Sequence, residues 1–431
     1  MIRPDISRST FMHLSQRPIL GFVVALVALG FAFFAPTALA ADPSDGAGWK
    51  TTWKNGLSWK SADGQFSAQF GGRILLDFAA ISENDALKAT LGGNGTGVEF
   101  RAARLKTSGT AYGRLVWKAE YDFAGGNVKD VWIALKKVPA VGTVKFGYFK
   151  EPFSLEELTS SRFITFMERG LPIALSPGRS TGIQINDQAF DQRATWAVGF
   201  FREMDDDFSG TEGFSDSSAY QLTGRFTGVP IYQEDGSQVL HLGVSYSHKF
   251  RNIGGDEDLR WKARPESHLA PTVANSGDLD SDGADLLNIE FAGVAGPLSL
   301  QAEYTSAWAD LGVASGTLRS WGAYFEASYF LTGEHRNYNL KKGAFARNRI
   351  LEPLGEGWGA WQIAVRFSRL KLLNEDGVNA GNIRDITLGL NWYLFSNFRM
   401  TANYIYSDVE NAAEVLDGNA NIFQMRAQVD F

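Results

Sequence analysis

From residue 66 to the end of the chain, apolar and polar residues alternate one by one in segment after segment. The last nine residues show it cleanly: Phe423, Met425, Ala427, Val429 and Phe431 share one parity, and Gln424, Arg426, Gln428 and Asp430 share the other. A period of two puts successive side chains on opposite faces of a strand. Residues 112–123 repeat the pattern, with Leu115, Trp117, Ala119, Tyr121 and Phe123 on one face and Arg114, Lys118, Glu120 and Asp122 on the other. So do 66–78, where Phe66, Phe70, Ile74, Leu76 and Phe78 oppose Gln69, Arg73 and Asp77, and 128–137, where Val131, Ile133 and Leu135 oppose Asp130, Trp132 and Lys136.

Sixteen segments qualify as strands: 66–78, 97–108, 111–123, 128–137, 142–149, 181–187, 192–203, 217–227, 238–250, 284–294, 297–308, 318–331, 358–370, 383–395, 397–408 and 421–431. An even number in this range fits a transmembrane β-barrel, lipid-facing on one parity and water-facing on the other. Fourteen or eighteen strands are the neighbouring alternatives. Aromatics at 13% and 46 glycines suit interfacial girdles and tight turns, although composition alone also fits a secreted β-sandwich. Connections are of two kinds. Ser396-Asn397 and 124–127 are tight turns, whereas 251–283 and 332–357 are long and are expected at the opposite, outer rim.

The two ends of the chain agree with a barrel. Arg3, Arg8 and Arg17 precede an uncharged apolar run, Ile19 to Phe34, and Ala38-Leu39-Ala40 fits a small-residue cleavage site. Residues 1–40 are therefore expected to be a signal peptide, 41–60 a short periplasmic segment and 61–431 the barrel. The terminal aromatic Phe431 resembles the signal that the barrel assembly machinery of bacterial outer membranes reads. Removing residues 1–40 leaves 38 Lys and Arg against 47 Asp and Glu, so the net charge moves from −7 to −9. That balance argues against a nucleic-acid partner, which needs a basic footprint. The chain has no cysteine, which excludes disulfides and thiolate chemistry.

Catalytic chemistry finds little support. Of five histidines, His13 falls in the leader, and His241, His248, His268 and His335 have neither i, i+4 spacing nor an H-E-x-x-H context. Residues 278–283 begin like a calcium loop, but Ile289 stands where the bidentate Glu belongs. The glycine-rich 92–97 precedes a strand, so it is no phosphate cradle of the helix-capping kind. The expectation is no enzyme, no cofactor and no metal.

The basic residues carry more information. Arg73, Arg104, Lys106, Arg114, Lys118 and Lys136 fall on the inward parity of the first four strands. Strands lie about 4.8 Å apart, so these cations form one wall in a closed barrel. A cationic wall concentrates anions and offers them charge-assisted hydrogen bonds. Arg101 has the opposite parity to Arg104, and an Arg facing lipid at mid-depth costs about 2–4 kcal/mol. A bulge, the membrane interface or a subunit contact would each relieve it.

Seven strings, in order, resemble the phosphate-selective porin O/P family: FGGR at 70–73, FRAARLKTSGTAY at 100–112, WKAEYDF at 117–123, FGYF at 146–149, TSSRFITFMER at 159–169, LTGEHRNYNL at 331–340 and LGLNWY at 388–393. The resemblance implies a homotrimer of sixteen-stranded barrels in outer-membrane lipid. It also implies an inward loop after the fifth strand, here about 150–180, and a path for small anions such as phosphate or polyphosphate. Carried over by motif, Arg73, Arg101, Arg104, Arg114, Lys118, Lys136, Lys150 and Arg162 are the expected anion-binding residues. The chain departs from the pattern at Ala102 and Arg104, where phosphate-specific members have an arginine and an aromatic. It departs again at Glu157 and Lys150, where they have a lysine and a tyrosine. A general-diffusion porin, and a plugged barrel used as a binding or scaffold protein, are the alternatives.

Overall fold

The computed structural model describes residues 48–53, 55–91, 95–202, 220–250, 259–311 and 316–431. The expected leader and residues 92–94 of the glycine-rich string lie outside the described residues. Sixteen antiparallel strands form one closed sheet. They are β1 (Ser67–Glu83), β2 (Gly95–Ala111), β3 (Leu115–Asp122), β4 (Asn127–Val138), β5 (Gly142–Lys150), β6 (Arg179–Ala189), β7 (Ala194–Arg202) and β8 (Tyr220–Tyr232). Then come β9 (Gln238–Phe250), β10 (Gly283–Ala295), β11 (Leu298–Asp310), β12 (Thr317–Phe330), β13 (Ala360–Leu373), β14 (Asn379–Phe395), β15 (Phe398–Asn411) and β16 (Leu416–Asp430). Every strand expected from the alternation is present, with ends shifted by a few residues.

Closure is made by β16 against β1, with Met425 opposite Phe78 and Asp430 opposite Arg73. The terminal residue is locked in: the Phe431 N–H donates to the Gly72 carbonyl at 3.1 Å and the Gly72 N–H donates to the Phe431 carbonyl at 2.6 Å. Beyond it, a hairpin of Trp49–Trp53 and Leu57–Ser61 takes over the edge of β1, pairing Leu57 with Phe70. All of that hairpin but Ser61 falls in the segment 41–60 expected to precede the barrel. A Cβ on Gly71 would stand 2.4 Å from the Phe431 carbonyl oxygen, which is why the chain crosses its own end on glycine.

The two parities separate as a bilayer requires. Phe226, Ile289, Phe367 and Leu388 point outward and are exposed, while Thr223, Ser247, Asn288 and Gln301 point inward and are buried. No helix among the described residues is long and apolar enough to cross a membrane, so the crossing elements are the strands.

Among the described residues, three segments fill part of the lumen. Residues 151–178, between β5 and β6, fold inward and carry a short helix, α1 (Leu155–Leu158), and a 3₁₀ turn, Leu171–Leu175. Residues 259–282 insert Trp261, Ala270, Val273 and Leu279 into an apolar cluster with Leu370, Ile383, Ile405 and Ile422. The third, 331–359, corrects an expectation. It follows an even-numbered strand, so it sits at the rim where β1 begins, with the tight turns, not at the outer rim. There Tyr338, Ala344 and Phe345 pack on Val229, Val239 and Val294 inside the barrel. Residues 124–127 are likewise a short connection at the opposite rim, so loop length does not sort the rims.

Candidate functional site

The basic side chains converge where the first strands face the inward loop. They surround a cavity of about 230 Å³ between β1–β6 and residues 157–169. Ten of its lining residues are Lys or Arg and four are Asp or Glu. Three more carboxylates behind the lining, Asp77, Asp122 and Asp430, pair with Arg426, Arg104 and Arg162 and still leave cations in excess.

Most of these cations are aimed by a carboxylate on a neighbouring element. Glu120 on β3 takes Arg73 from β1, Lys118 at 2.7 Å and Arg104 at 3.5 Å. Asp122 fixes Arg104 from β2 at 2.6 Å. Asp130 on β4 takes Lys118 and, at 2.8 Å, Arg179 from β6. Arg73 also donates to the hydroxyls of Ser160 and Ser161 at 3.3 and 3.1 Å, which ties the loop to the wall.

Arg101 resolves its parity conflict at a β-bulge. Leu75 faces Ala102 and Leu76 faces Phe100, so Arg101 is the extra residue and turns inward. Its Nε and Nη2 donate to the two carboxylate oxygens of Glu168 at 2.9 and 3.1 Å, a bidentate clamp on the loop. Arg426 shares Glu168 at 2.7 Å. Burial opposes ionisation of Glu168, yet Arg101 and Arg426 together hold its carboxyl down to about 2.

Six of the eight residues expected from sequence line this cavity: Arg73, Arg101, Arg104, Lys118, Lys150 and Arg162. Arg114 and Lys136 do not. Arg114 lies in the tight turn after β2 and donates to the Lys136 and Lys137 carbonyls, and Lys136 is exposed at a bulge at the same rim. Arg114 stands in a turn and Lys136 at a bulge, so strand parity no longer sets where either residue lies.

Arg169, Arg179, Arg426 and Lys342 join the lining without having been expected there. Arg426 was readable, since it shares the inward parity of the last strand. Lys342 was expected to lie far away in an outer loop. Instead the 331–359 segment carries it up from the starting rim, with an N-capping Asn339 and a left-handed Gly343 ending its 3₁₀ turn. Burial and the nearby Lys118 and Arg162 pull its ammonium below the usual lysine value. No carboxylate among the described residues pairs with Lys342. A second cavity of about 290 Å³ lies next to the first, lined by Lys145, Gln184, Lys341 and others. The two share Lys150, Leu158 and Lys342. Among the described residues no cluster of His, Asp and Glu has metal-binding geometry.

The sequence profile of the family described as phosphate-selective porin O and P matches residues 69–431, nearly the whole barrel. The chain belongs to that family. Porin O of Pseudomonas aeruginosa is 26% identical over 432 positions, spanning 90% of this chain and 92% of that protein. An uncharacterized protein of Caulobacter vibrioides is 29% identical over 396 positions, 88% of this chain and 77% of that one. Among solved structures, OmpT of Vibrio cholerae superposes with a TM-score of 0.53 at 12% identity, covering 85% of this chain and 98% of that one. An anion-selective porin from Comamonas acidovorans gives 0.50 at 14% identity, covering 85% and 100%. At such identities the structural likeness speaks for the porin fold. Family and fold together make this chain an outer-membrane porin, a channel protein with a lumen rich in cations.

Proposed function

We propose that this porin passes small oxyanions, phosphate or polyphosphate foremost, by passive diffusion along the cationic face of its lumen. The observation that carries the reading is the surplus of Lys and Arg around the first cavity in a chain whose net charge is −7. A lumen of low dielectric is governed by its nearest charges, and an anion with several acceptor oxygens can engage neighbouring cations at once. Arg73, Arg101, Arg104, Lys118, Lys150 and Arg162 are the proposed contact residues, and Lys150 and Lys342 the relay into the second cavity. Because the contact cations Arg73, Arg101, Arg104, Lys118, Lys150 and Arg162 already have carboxylate partners in the protein, binding is weak enough for release, as conduction demands.

The mature protein is proposed to begin after residue 40, to reach the outer membrane through the barrel assembly machinery and to work as a homotrimer in lipid. A plugged barrel serving as a binding or scaffold protein is the second reading, favoured by the three inserted segments. A planar-bilayer recording separates the two. Chloride current that inorganic phosphate blocks in a saturable way supports the oxyanion path, absence of current supports the plug, and current indifferent to phosphate removes phosphate from the proposal.

A further inference from the structure

The cavity contains a carboxylate that sits where a permeating anion should. Glu157, on α1, places Oε1 at 2.8 Å from the Lys150 ammonium and Oε2 at 3.3 Å from Arg169 Nε. One carboxylate thus bridges two cations with its two oxygens, which is the way a phosphate would use them. Burial opposes its ionisation, but Arg169 and Lys150 hold the Glu157 carboxyl below its ordinary value, so it is charged at neutral pH.

The two cations do not need that carboxylate to stay in place. Lys150 Nζ also donates to the Glu157 backbone carbonyl, and Arg169 donates to the carbonyls of Glu156 at 2.9 Å, Glu157 at 3.2 Å and Thr159 at 3.1 Å. The backbone of α1 is itself anchored from the opposite wall. Glu303 accepts the N–H groups of Leu155 and Glu156 at 3.1 and 2.8 Å, and the Ser154 hydroxyl accepts that of Glu157 at 3.1 Å. A fixed pair of cations, held by carbonyls and bridged by a detachable carboxylate, is a preformed oxyanion site with an internal competitor.

We propose that Glu157 is a specificity-determining residue of this porin: its carboxylate occupies the Lys150 and Arg169 pair and is exchanged for the oxygens of each passing oxyanion. The exchange lowers affinity and speeds release. The inference rests on the oxyanion path proposed above and adds to it the residue that sets its strength.

The test is the concentration of inorganic phosphate that half-blocks chloride current through the full-length protein in a planar bilayer. Glu157→Gln should lower that concentration by about tenfold, the worth of one charge-assisted hydrogen bond. Lys150→Gln should weaken the block in the wild-type background, because it removes half of the cation pair, and abolish the gain in the Glu157→Gln background. A folded, heat-modifiable Glu157→Gln channel with unchanged or weaker block overturns the proposal. If that variant does not fold, Glu157→Asp keeps the charge but withdraws the oxygens from Lys150, and the block should move the same way by a smaller factor. No movement there overturns the proposal equally. A wild-type channel that prefers cations, or that phosphate does not block, would instead sink the oxyanion path itself.

Discussion

The two halves of the lumen use the same inward parity and similar charged residues for different ends. Along β1–β6 the charges face a cavity. Along β8–β14 most of them face protein, although Arg225 on β8 also borders the second cavity. Glu290 on β10 takes Arg225 on both oxygens, together with His241 at 3.0 Å and Ser245 at 3.0 Å. Tyr338, from the segment inserted at the starting rim, bonds His241 at 2.6 Å. Arg366 on β13 binds Glu266 from the 259–282 segment and Glu156 from the inward loop, the latter at 3.3 Å. These groups are sockets for the inserted segments. A lumen charge becomes available to a solute only where it borders open space; elsewhere it fixes the shape of that space.

The sharpest way to break this contrast is Arg366→Met. It leaves Glu156, Glu266 and Glu326 buried without their shared cation, a loss of about 3–5 kcal/mol for a broken buried pair. Limited proteolysis should then cut within 151–178 and 259–282, with the barrel itself intact on a heat-modifiability gel. Unchanged protection would show that these charges are not sockets. On the cavity side, Arg104→Gln should leave protection untouched and lower the chloride-to-potassium permeability ratio by on the order of tenfold, the effect of losing a focused lumen charge. A ratio that stays put would mean that Arg104 is already silenced by Asp122 and Glu120.

Acid sharpens the contrast further. Glu168 has its carboxyl held at about 2, far below the ordinary glutamate range, so its clamp on Arg101 and Arg426 contributes fully above about pH 4.5. That contribution fades as pH falls and is gone once pH drops through about 2. Between those values the inward loop should loosen, read as rising current noise; noise that rises instead toward alkaline pH would contradict the clamp. The smallest effect belongs to the rim. Arg114→Gln and Lys136→Gln should alter stability by no more than about 0.5 kcal/mol and leave selectivity alone, since neither borders the cavity.

How much of this was legible in the chain follows from what parity can and cannot encode. Alternation located all sixteen strands because bilayer and lumen impose opposite chemistry on adjacent residues. It assigned Arg73, Arg104 and Lys118 to the lumen for the same reason. It flagged a conflict at Arg101 and left a bulge as one of three ways to relieve it, because a bulge leaves no mark in a list of side chains; the structure shows that bulge. It overreached on Arg114 and Lys136, because parity gives a direction and not a depth. Lys342 was placed at the wrong rim for want of counting strands: a connection that follows the twelfth must return to where the first began. What no pattern in one sequence supplies is which charges meet across the lumen. The ties from Arg366 to Glu266 and from Glu303 to α1 join residues separated by 100 or more positions.

The central claim is that local lining charge, not net charge, sets what this porin passes. A reversal potential across a planar bilayer under a potassium chloride gradient measures it directly. A channel governed by its cationic cavity gives a potential of the sign set by chloride, in a chain whose net charge is −7. A potential of the sign set by potassium would contradict the account.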